Sequence, residues 1–167
     1  MTKRGRAEDT LGVRQPEEQT LNGFMEWYRA VVRNKVTGLS LEDASRVVTP
    51  TGMSPLGIVK HLAWAEIGWW RDTFAGEIEG WGGSTDGFDL KPEDTVESVL
   101  ATYDEACEHS RRIVAAAGSL EKLSVGRTEL RGHVSMRWLL VHMIEETARH
   151  AGHLDLMREQ IDGRTGD

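Results

Sequence analysis

The sequence predicts an all-α protein, a four-helix bundle with long connections between its helices. Three observations favour this class. Apolar residues recur at steps of three and four along four segments, whereas no segment shows the alternation typical of a half-buried strand. Each of these segments carries residues typical of a helix start or end. The chain of 167 residues, 39% of them hydrophobic, has the size and composition of one folded domain.

The first helix is predicted to begin at Pro16, because proline suits the first helical turn and the two acidic residues after it suit the helix dipole. It carries an apolar stripe and ends at Gly38. Ser40 is expected to cap a short extra turn. Residues 1–15 are polar and show no periodicity, so we expect them to form a mobile N-terminal tail.

The second helix is predicted to have Ser54 as its N-cap and Pro55 as its first residue, and to run to Gly76. The glycine-rich stretch 80–87 is expected to be a loop. The third helix is predicted to open near Pro92, where two acidic residues follow the proline.

The fourth helix is predicted to follow Ser135 as its N-cap. The bundle then covers residues 16–162, and residues 163–167 form a C-terminal tail. Each of the three connections between helices is longer than a dozen residues, whereas a minimal up-and-down bundle uses shorter ones. The topology of the bundle therefore stays open.

Composition and charge narrow the classes of function. The chain has 20 Lys and Arg against 27 Asp and Glu, and this net charge of −7 argues against a nucleic-acid partner. Its single cysteine, Cys107, is expected to be an inert core thiol and suits a reducing cytoplasm. No apolar run approaches the roughly 20 residues of a membrane span, and the N-terminus lacks the hydrophobic region of a secretory signal. We therefore expect a soluble cytoplasmic protein without a nucleic-acid or membrane partner.

The fourth helix carries polar residues at the margin of its core-facing surface, namely His142, Glu146, His150 and His153. Steps of four and three residues keep all four side chains within an arc of about 80°. No Lys or Arg shares this arc, so we expect a metal ion, or the histidines themselves, to compensate the carboxylate. Because His142 and His150 lie about 12 Å apart along the helix axis, one ion can bind Glu146 with either histidine but hardly with both.

His61, on the second helix, is the candidate for a ligand from elsewhere in the bundle. Small residues surround it on its helix face, which allows a facing helix to approach or leaves a cavity beside it. The alternative is a buried histidine that is hydrogen-bonded to Glu146 without a metal. The residue types alone leave both interpretations open.

Two segments resemble the DinB-like superfamily of metalloenzymes: SPLGIVKHLAWAE at 54–66 and RWLLVHMIEETARHAGHLD at 137–155. In that superfamily a histidine of the second helix and an H-x-x-x-H pair of the last helix bind a divalent metal. Here Glu146 occupies the first position of the pair. This E-x-x-x-H variant is similar to the branch that contains the mycothiol-dependent maleylpyruvate isomerase, which has a His, Glu, His zinc site. The resemblance implies His61, Glu146 and His150 as the metal ligands.

The resemblance also implies a thiol-dependent transferase or isomerase, with mycothiol or a related low-molecular-weight thiol as co-substrate. Three protein ligands leave open positions on the ion, which is typical of catalytic metal sites. Zinc suits this ligand set, and nickel and iron suit it as well. A metal-dependent hydrolase is the enzymatic alternative. A metal-stabilised binding or stress-response module without turnover is the alternative from another class.

The sequence also predicts roles for two further histidines and for the tryptophans. His142 is expected to support the site or contact a substrate, or else to be a partly buried structural histidine. His153 is expected to orient His150 through a water or to donate to a substrate, or else to pack near the rim. The first helix and the end of the second carry many large apolar side chains, so we expect a homodimer. The tryptophans at that end are Trp64, Trp69, Trp70 and Trp81.

Overall fold

The computed structural model describes residues 13–78, 85–128 and 132–166. Nearly all of the predicted N-terminal tail therefore lies outside the described residues, as do residues 80–84 of the glycine-rich stretch, Trp81 among them. The described residues are mostly helical and contain no β-strand. The predicted all-α class is thus confirmed.

Four long helices form the bundle, with one short helix between the first two. The α-helices are α1 (Glu17–Val36), α2 (Leu41–Ser45), α3 (Pro55–Glu66), α4 (Val96–Ala117) and α5 (Met136–Asp162). A π-helix at Ile67–Phe74 continues α3, and a 3-10 helix occupies Thr85–Phe88. Helix α1 packs mainly on α5, and α3 packs mainly on α4. The last helix therefore pairs with the first.

The predicted N-caps of three helices are present. The side chains of Ser40, Ser54 and Ser135 each accept a hydrogen bond from a backbone N–H in the first turn of the helix that follows. Gly163 ends α5 in the left-handed conformation, at φ 73°. These signals are local, so the sequence predicts these helix boundaries well.

Helix α4 begins later than the sequence predicts. Its N-cap is Thr95, which forms a capping box with Ser98 and so satisfies the backbone donors of the first turn. Pro92 lies in a turn before the helix. Asp94 closes this turn, because its carboxylate accepts a hydrogen bond of 2.7 Å from the backbone N–H of Lys91.

The second long helix changes its geometry at Glu66. The sequence predicts one α-helix through Phe74, but the backbone widens to a π-helix from Ile67, and the N–H of Ala75 donates to the carbonyl of Trp70 five residues earlier. Trp70 and Phe74 are both buried in this segment. Their four-residue spacing fits an α-helix as well, so periodicity does not reveal the change.

The core consists of two apolar clusters. One cluster contains, among others, Val32, Val36, Leu56, Val59, Leu62, Tyr103 and Leu154. The other contains, among others, Met25, Trp70, Phe74, Met136, Leu139, Leu140 and Met143. Along α5, Glu146 and His150 fall between Met143 of one cluster and Ala151 of the other. The candidate ligands therefore occupy a polar layer between the two clusters.

A buried ion pair belongs to the same layer. Glu66 accepts two hydrogen bonds from the guanidinium of Arg29, at 2.8 and 2.7 Å, and a third from the hydroxyl of Ser110 at 2.6 Å. All three residues are buried. No local sequence pattern predicts this pair, because its residues and Ser110 lie on three different helices.

No helix in the described part of the chain has the length and apolar character needed to cross a membrane. The homodimer stays a prediction. Part of the apolar surface that motivates it is used inside the bundle, since Trp70 is fully buried and Trp69 packs against the core. Trp64 is one of several large apolar side chains that remain exposed.

Candidate metal centre

His61, Glu146 and His150 lie together where α3 faces α5. Oε1 of Glu146 is 3.2 Å from Nε2 of His61 and 3.2 Å from Nε2 of His150. One ligand atom from each residue falls within 4.8 Å of the other two. The side chains of His61 and Glu146 are 20% and 15% exposed, and that of His150 is 7% exposed. The cluster is therefore open to solvent on the His61 side.

The donor set fits a divalent ion. Two imidazole nitrogens and one carboxylate oxygen are typical zinc ligands, and ligands at about 2.0–2.2 Å from a tetrahedral ion lie roughly 3.4 Å from one another. The distances of 3.2 Å between Glu146 and the two histidines are close to that spacing. Both Nε2 atoms already point at the carboxylate, so small shifts suffice to direct all three donors at one point.

Glu146 is held in its ionised form. Hydrogen bonds from His150 and His61 keep the pKa of its carboxyl well below the usual range, and the charge of Arg149 contributes as well. The carboxylate therefore stays available as an anionic ligand at neutral and mildly acidic pH.

A cation also reaches this carboxylate. Nη1 of Arg149 lies 3.0 Å from Oε2 of Glu146, and the same guanidinium also pairs with Glu145. Arg149 projects from the exposed face of α5, but its long side chain spans one helical turn to the oxygen that faces away from the histidines. Arg149, which lies outside the predicted arc, therefore adds to the compensation that we expected from a metal ion or the histidines.

His153 lies directly against His150. The two Nδ1 atoms are 3.4 Å apart, on the side of the His150 ring opposite to Glu146. Burial, with His150 and Arg149 nearby, lowers the pKa of His153, so this imidazole is neutral at neutral pH and is able to accept a hydrogen bond. The sequence leaves three roles open for His153, and one of them is orientation of His150, which here is a direct contact and not one through a water.

His142 does not join the three donors. Its ring stacks on Trp138, with centroids 5.0 Å apart, and meets the edge of Trp69 at 4.5 Å. This position agrees with the interpretation of His142 as a partly buried residue held by packing, one helical turn before Glu146.

Phe88 is a neighbour of the site that sequence analysis misses. Its ring stacks on His61, with centroids 4.1 Å apart and planes within 9°. The 3-10 helix that carries Phe88 approaches α3 closely at Gly57, where an added Cβ would lie 2.5 Å from the carbonyl oxygen of Phe88. The small residues on the His61 face thus admit this segment. In the sequence, only the glycine at position 57 indicates that another segment packs closely against this face.

The family model for mycothiol-S-transferase matches residues 20–163, which is most of the chain and includes all three donors. The chain belongs to the mycothiol S-transferase family. This family lies in the DinB-like superfamily, in agreement with the resemblance found in the sequence. A comparison with curated proteins gave no match.

Membership in the mycothiol S-transferase family implies a mycothiol-dependent transferase activity on a small-molecule substrate. The reacting thiol then belongs to the substrate. The cysteine of this family member, Cys107, is buried on α4, and burial raises the pKa of its thiol far above the usual value. Such a thiol stays protonated and does not act as a nucleophile.

Proposed function

We propose that this member of the mycothiol S-transferase family is a metal-dependent enzyme whose divalent ion binds to His61, Glu146 and His150. Zinc is our first choice of ion, with nickel and iron as alternatives. The observation that carries the proposal is the convergence of three typical zinc donors within 4.8 Å, two of them partly exposed, in a chain of this family.

A divalent ion at this position would lower the pKa of a bound thiol and act as a Lewis acid toward the second substrate. The transfer itself forms a bond between the thiol sulfur and an electrophilic carbon of the second substrate. The S–H bond breaks and its proton leaves, and the electron pair of the bond that breaks at the carbon goes to a leaving group or, in an addition, to the neighbouring atom of a double bond. The residues of the chain prepare this chemistry by fixing the donors in place.

The tautomers of the two neighbouring histidines follow from their contacts. When Nε2 of His150 offers its lone pair to an ion, Nδ1 carries the proton and donates it to Nδ1 of His153. The neutral His153 then keeps its own proton on Nε2 and has no lone pair left for a substrate. We therefore assign His153 to the orientation of His150 rather than to proton transfer, and expect the thiol proton to pass to solvent.

Arg149 and Phe88 support the other two donors. Arg149 binds Oε2 of Glu146 and so leaves Oε1 directed at the histidines. Phe88 covers one face of the His61 ring and excludes water from it. These contacts act on the ligands, not on the reacting atoms, and we regard both residues as positioning residues.

Elemental analysis combined with an activity assay tests the proposal. Protein purified without a histidine tag should contain about one divalent ion per chain and should join mycothiol to electrophiles. Activity should be lost with a chelator and return when the metal is restored. Full activity in metal-free protein would contradict the metal dependence, while a metal-loaded protein that transfers no thiol would contradict the transferase function.

A further inference from the structure

A cavity of about 410 Å³ lies between α3 and the beginning of α4. One wall is mainly apolar and consists of Ala63, Trp64 and Ile67 from α3. The opposite wall is polar and includes Glu93, Ser98 and Thr102. The volume lies within the range of roughly 300–1,000 Å³ that is usual for small-molecule sites. None of the three candidate metal ligands lines this cavity.

The cavity and the candidate metal centre share a boundary. Trp64 follows His61 by one helical turn, and Gly87 packs against both: a Cβ added to it would lie 3.5 Å from Nδ1 of His61 and 3.6 Å from Cδ1 of Trp64. Phe88 stacks on His61, and the chain then continues along the rim of the cavity to Asp94. Among the described residues, Trp64 lines the cavity and shares its neighbour Gly87 with His61, so the cavity adjoins the candidate metal centre there.

The segment is anchored by a lysine beside His61. Nζ of Lys60 donates one hydrogen bond to the carbonyl of Asp89, at 2.9 Å, and another to Oδ2 of Asp94, at 2.6 Å. Lys60 and Asp94 are mostly buried by this contact. These contacts hold the segment from Asp89 to Asp94 against α3 at the rim of the cavity.

Two charged side chains at the cavity are available to a ligand. Lys91 and Glu93 line the cavity, and within the described residues neither side chain makes a hydrogen bond or ion pair, although the charge of Lys91 acts on Asp94. Trp64, which is 41% exposed, offers an aromatic surface on the opposite wall. A mainly apolar wall that faces a polar wall with hydrogen-bonding groups suits a ligand that has apolar ring faces and many hydroxyl groups.

We propose that this cavity binds the polyhydroxylated, sugar-like headgroup of the mycothiol substrate, with Trp64 under a ring and Glu93 and Lys91 hydrogen-bonded to hydroxyl groups. The thiol end then extends past Trp64 toward His61. This inference rests on the proposed thiol-dependent function and adds the place where the thiol substrate is recognised. The other occupant, the electrophilic second substrate, is an outcome of the test below.

The test measures binding of S-methyl mycothiol, a thioether that keeps the headgroup but has no ionisable thiol, by calorimetry on the full-length protein as purified. Trp64→Ala should weaken binding about tenfold, and Glu93→Gln a few-fold. Trp64→Tyr, which keeps an aromatic surface, should restore most of the affinity. Two matched controls should leave the affinity unchanged: Phe24→Ala, at a residue that is 38% exposed on α1, and Glu97→Gln, in the first turn of α4.

The outcomes distinguish a failure of the proposed headgroup site from a failure of the proposed thiol-dependent function. Equal affinity in wild type, Trp64→Ala and Glu93→Gln would overturn the placement while leaving a thiol-binding enzyme. Unchanged thioether affinity together with a raised KM for the electrophile in these two variants would also overturn it, because the cavity would then hold the second substrate. Failure of the wild type to bind the thioether would overturn the thiol-dependent function, and the placement with it. Metal content, measured in parallel, should be the same in every variant.

Discussion

Oε1 of Glu146 lies 3.2 Å from Nε2 of His61, although 85 residues separate them in the sequence. The contact joins α3 to α5 in the polar layer between the two apolar clusters of the bundle. His150 reaches the same oxygen from the next turn of α5. This one carboxylate oxygen therefore brings together every residue that we assign to the metal.

The glycine at position 57 should be required for the segment that covers His61. An added Cβ would lie 2.5 Å from the carbonyl oxygen of Phe88, so Gly57→Ala must displace the 3-10 helix. We expect Gly57→Ala to lower the free energy of unfolding by about 1–3 kcal/mol, measured by chemical denaturation. Gly152→Ala is the matched control, because a Cβ there meets nothing within 4 Å and alanine suits a helix interior. Equal stability of the two variants would contradict the close approach.

Replacing only one residue of the buried pair of Arg29 and Glu66 should lower the stability of the protein more than replacing both. Glu66→Ala leaves a guanidinium in the core with only Glu26 as its anionic partner, so we expect a loss of about 3–5 kcal/mol in the free energy of unfolding. Replacing both residues, as in Arg29→Met with Glu66→Leu, should recover most of that loss.

An exposed pair provides the control for this prediction. Arg33 and Asp104 are in contact at 3.1 Å but are each 46% exposed, so Asp104→Ala should cost no more than about 1 kcal/mol. If Glu66→Ala proves as mild as Asp104→Ala, the Arg29–Glu66 pair is not the buried contact described above.

The sequence predicts the parts of this fold that depend on neighbouring residues. Ser54 and Ser135 are found as N-caps because a cap and its first turn lie within a few residues of each other. The spacing of Glu146 and His150 likewise predicts that they share one side of α5. The resemblance to a known superfamily adds His61, which spacing alone leaves open.

The remaining features depend on contacts between distant segments. Phe88 packs on His61 from a stretch that glycine content marks only as a loop. Arg149 reaches Glu146 because of the length of its side chain, although its Cα lies on the exposed face. The π-helix after Glu66 keeps the apolar spacing of an α-helix. None of these three features has a local signal.

Cys107 should be unreactive in the folded protein. Burial raises the pKa of its thiol, so the reactive thiolate is scarce even at pH 8.5, and reagents also lack access. We expect no labelling by a maleimide within minutes in buffer, and labelling of one thiol per chain in denaturant. Rapid stoichiometric labelling of the folded protein would place Cys107 at the surface and contradict the packing of α4.

Metal retention should depend on pH through the two histidines. Protons compete with a metal for imidazole nitrogen, so the ion should be retained at pH 7.5 and lost as the pH falls into the mildly acidic range. Glu146 should not contribute in that range, since its pKa is held well below the usual value and its protonation would weaken the site only at lower pH. The thermal stability of the protein should fall in parallel, because the ion binds only to the folded state.

Melting curves with and without a chelator check this dependence. The chelator should lower the melting temperature at pH 7.5 and should have little effect at pH 5, where the ion is already lost. A melting temperature that the chelator leaves unchanged at pH 7.5 would mean that His61 and Glu146 are joined by hydrogen bonding alone.

The most direct test of the proposed metal centre is the zinc content of single-residue variants after dialysis against a weak chelator. We expect about one ion per chain in the wild type, and an affinity lowered by more than about a hundredfold in His61→Ala, Glu146→Ala and His150→Ala. His142→Ala, a change on the same helix at a histidine packed between Trp69 and Trp138, should keep its ion. Full zinc occupancy in Glu146→Ala would contradict the assignment of the metal centre.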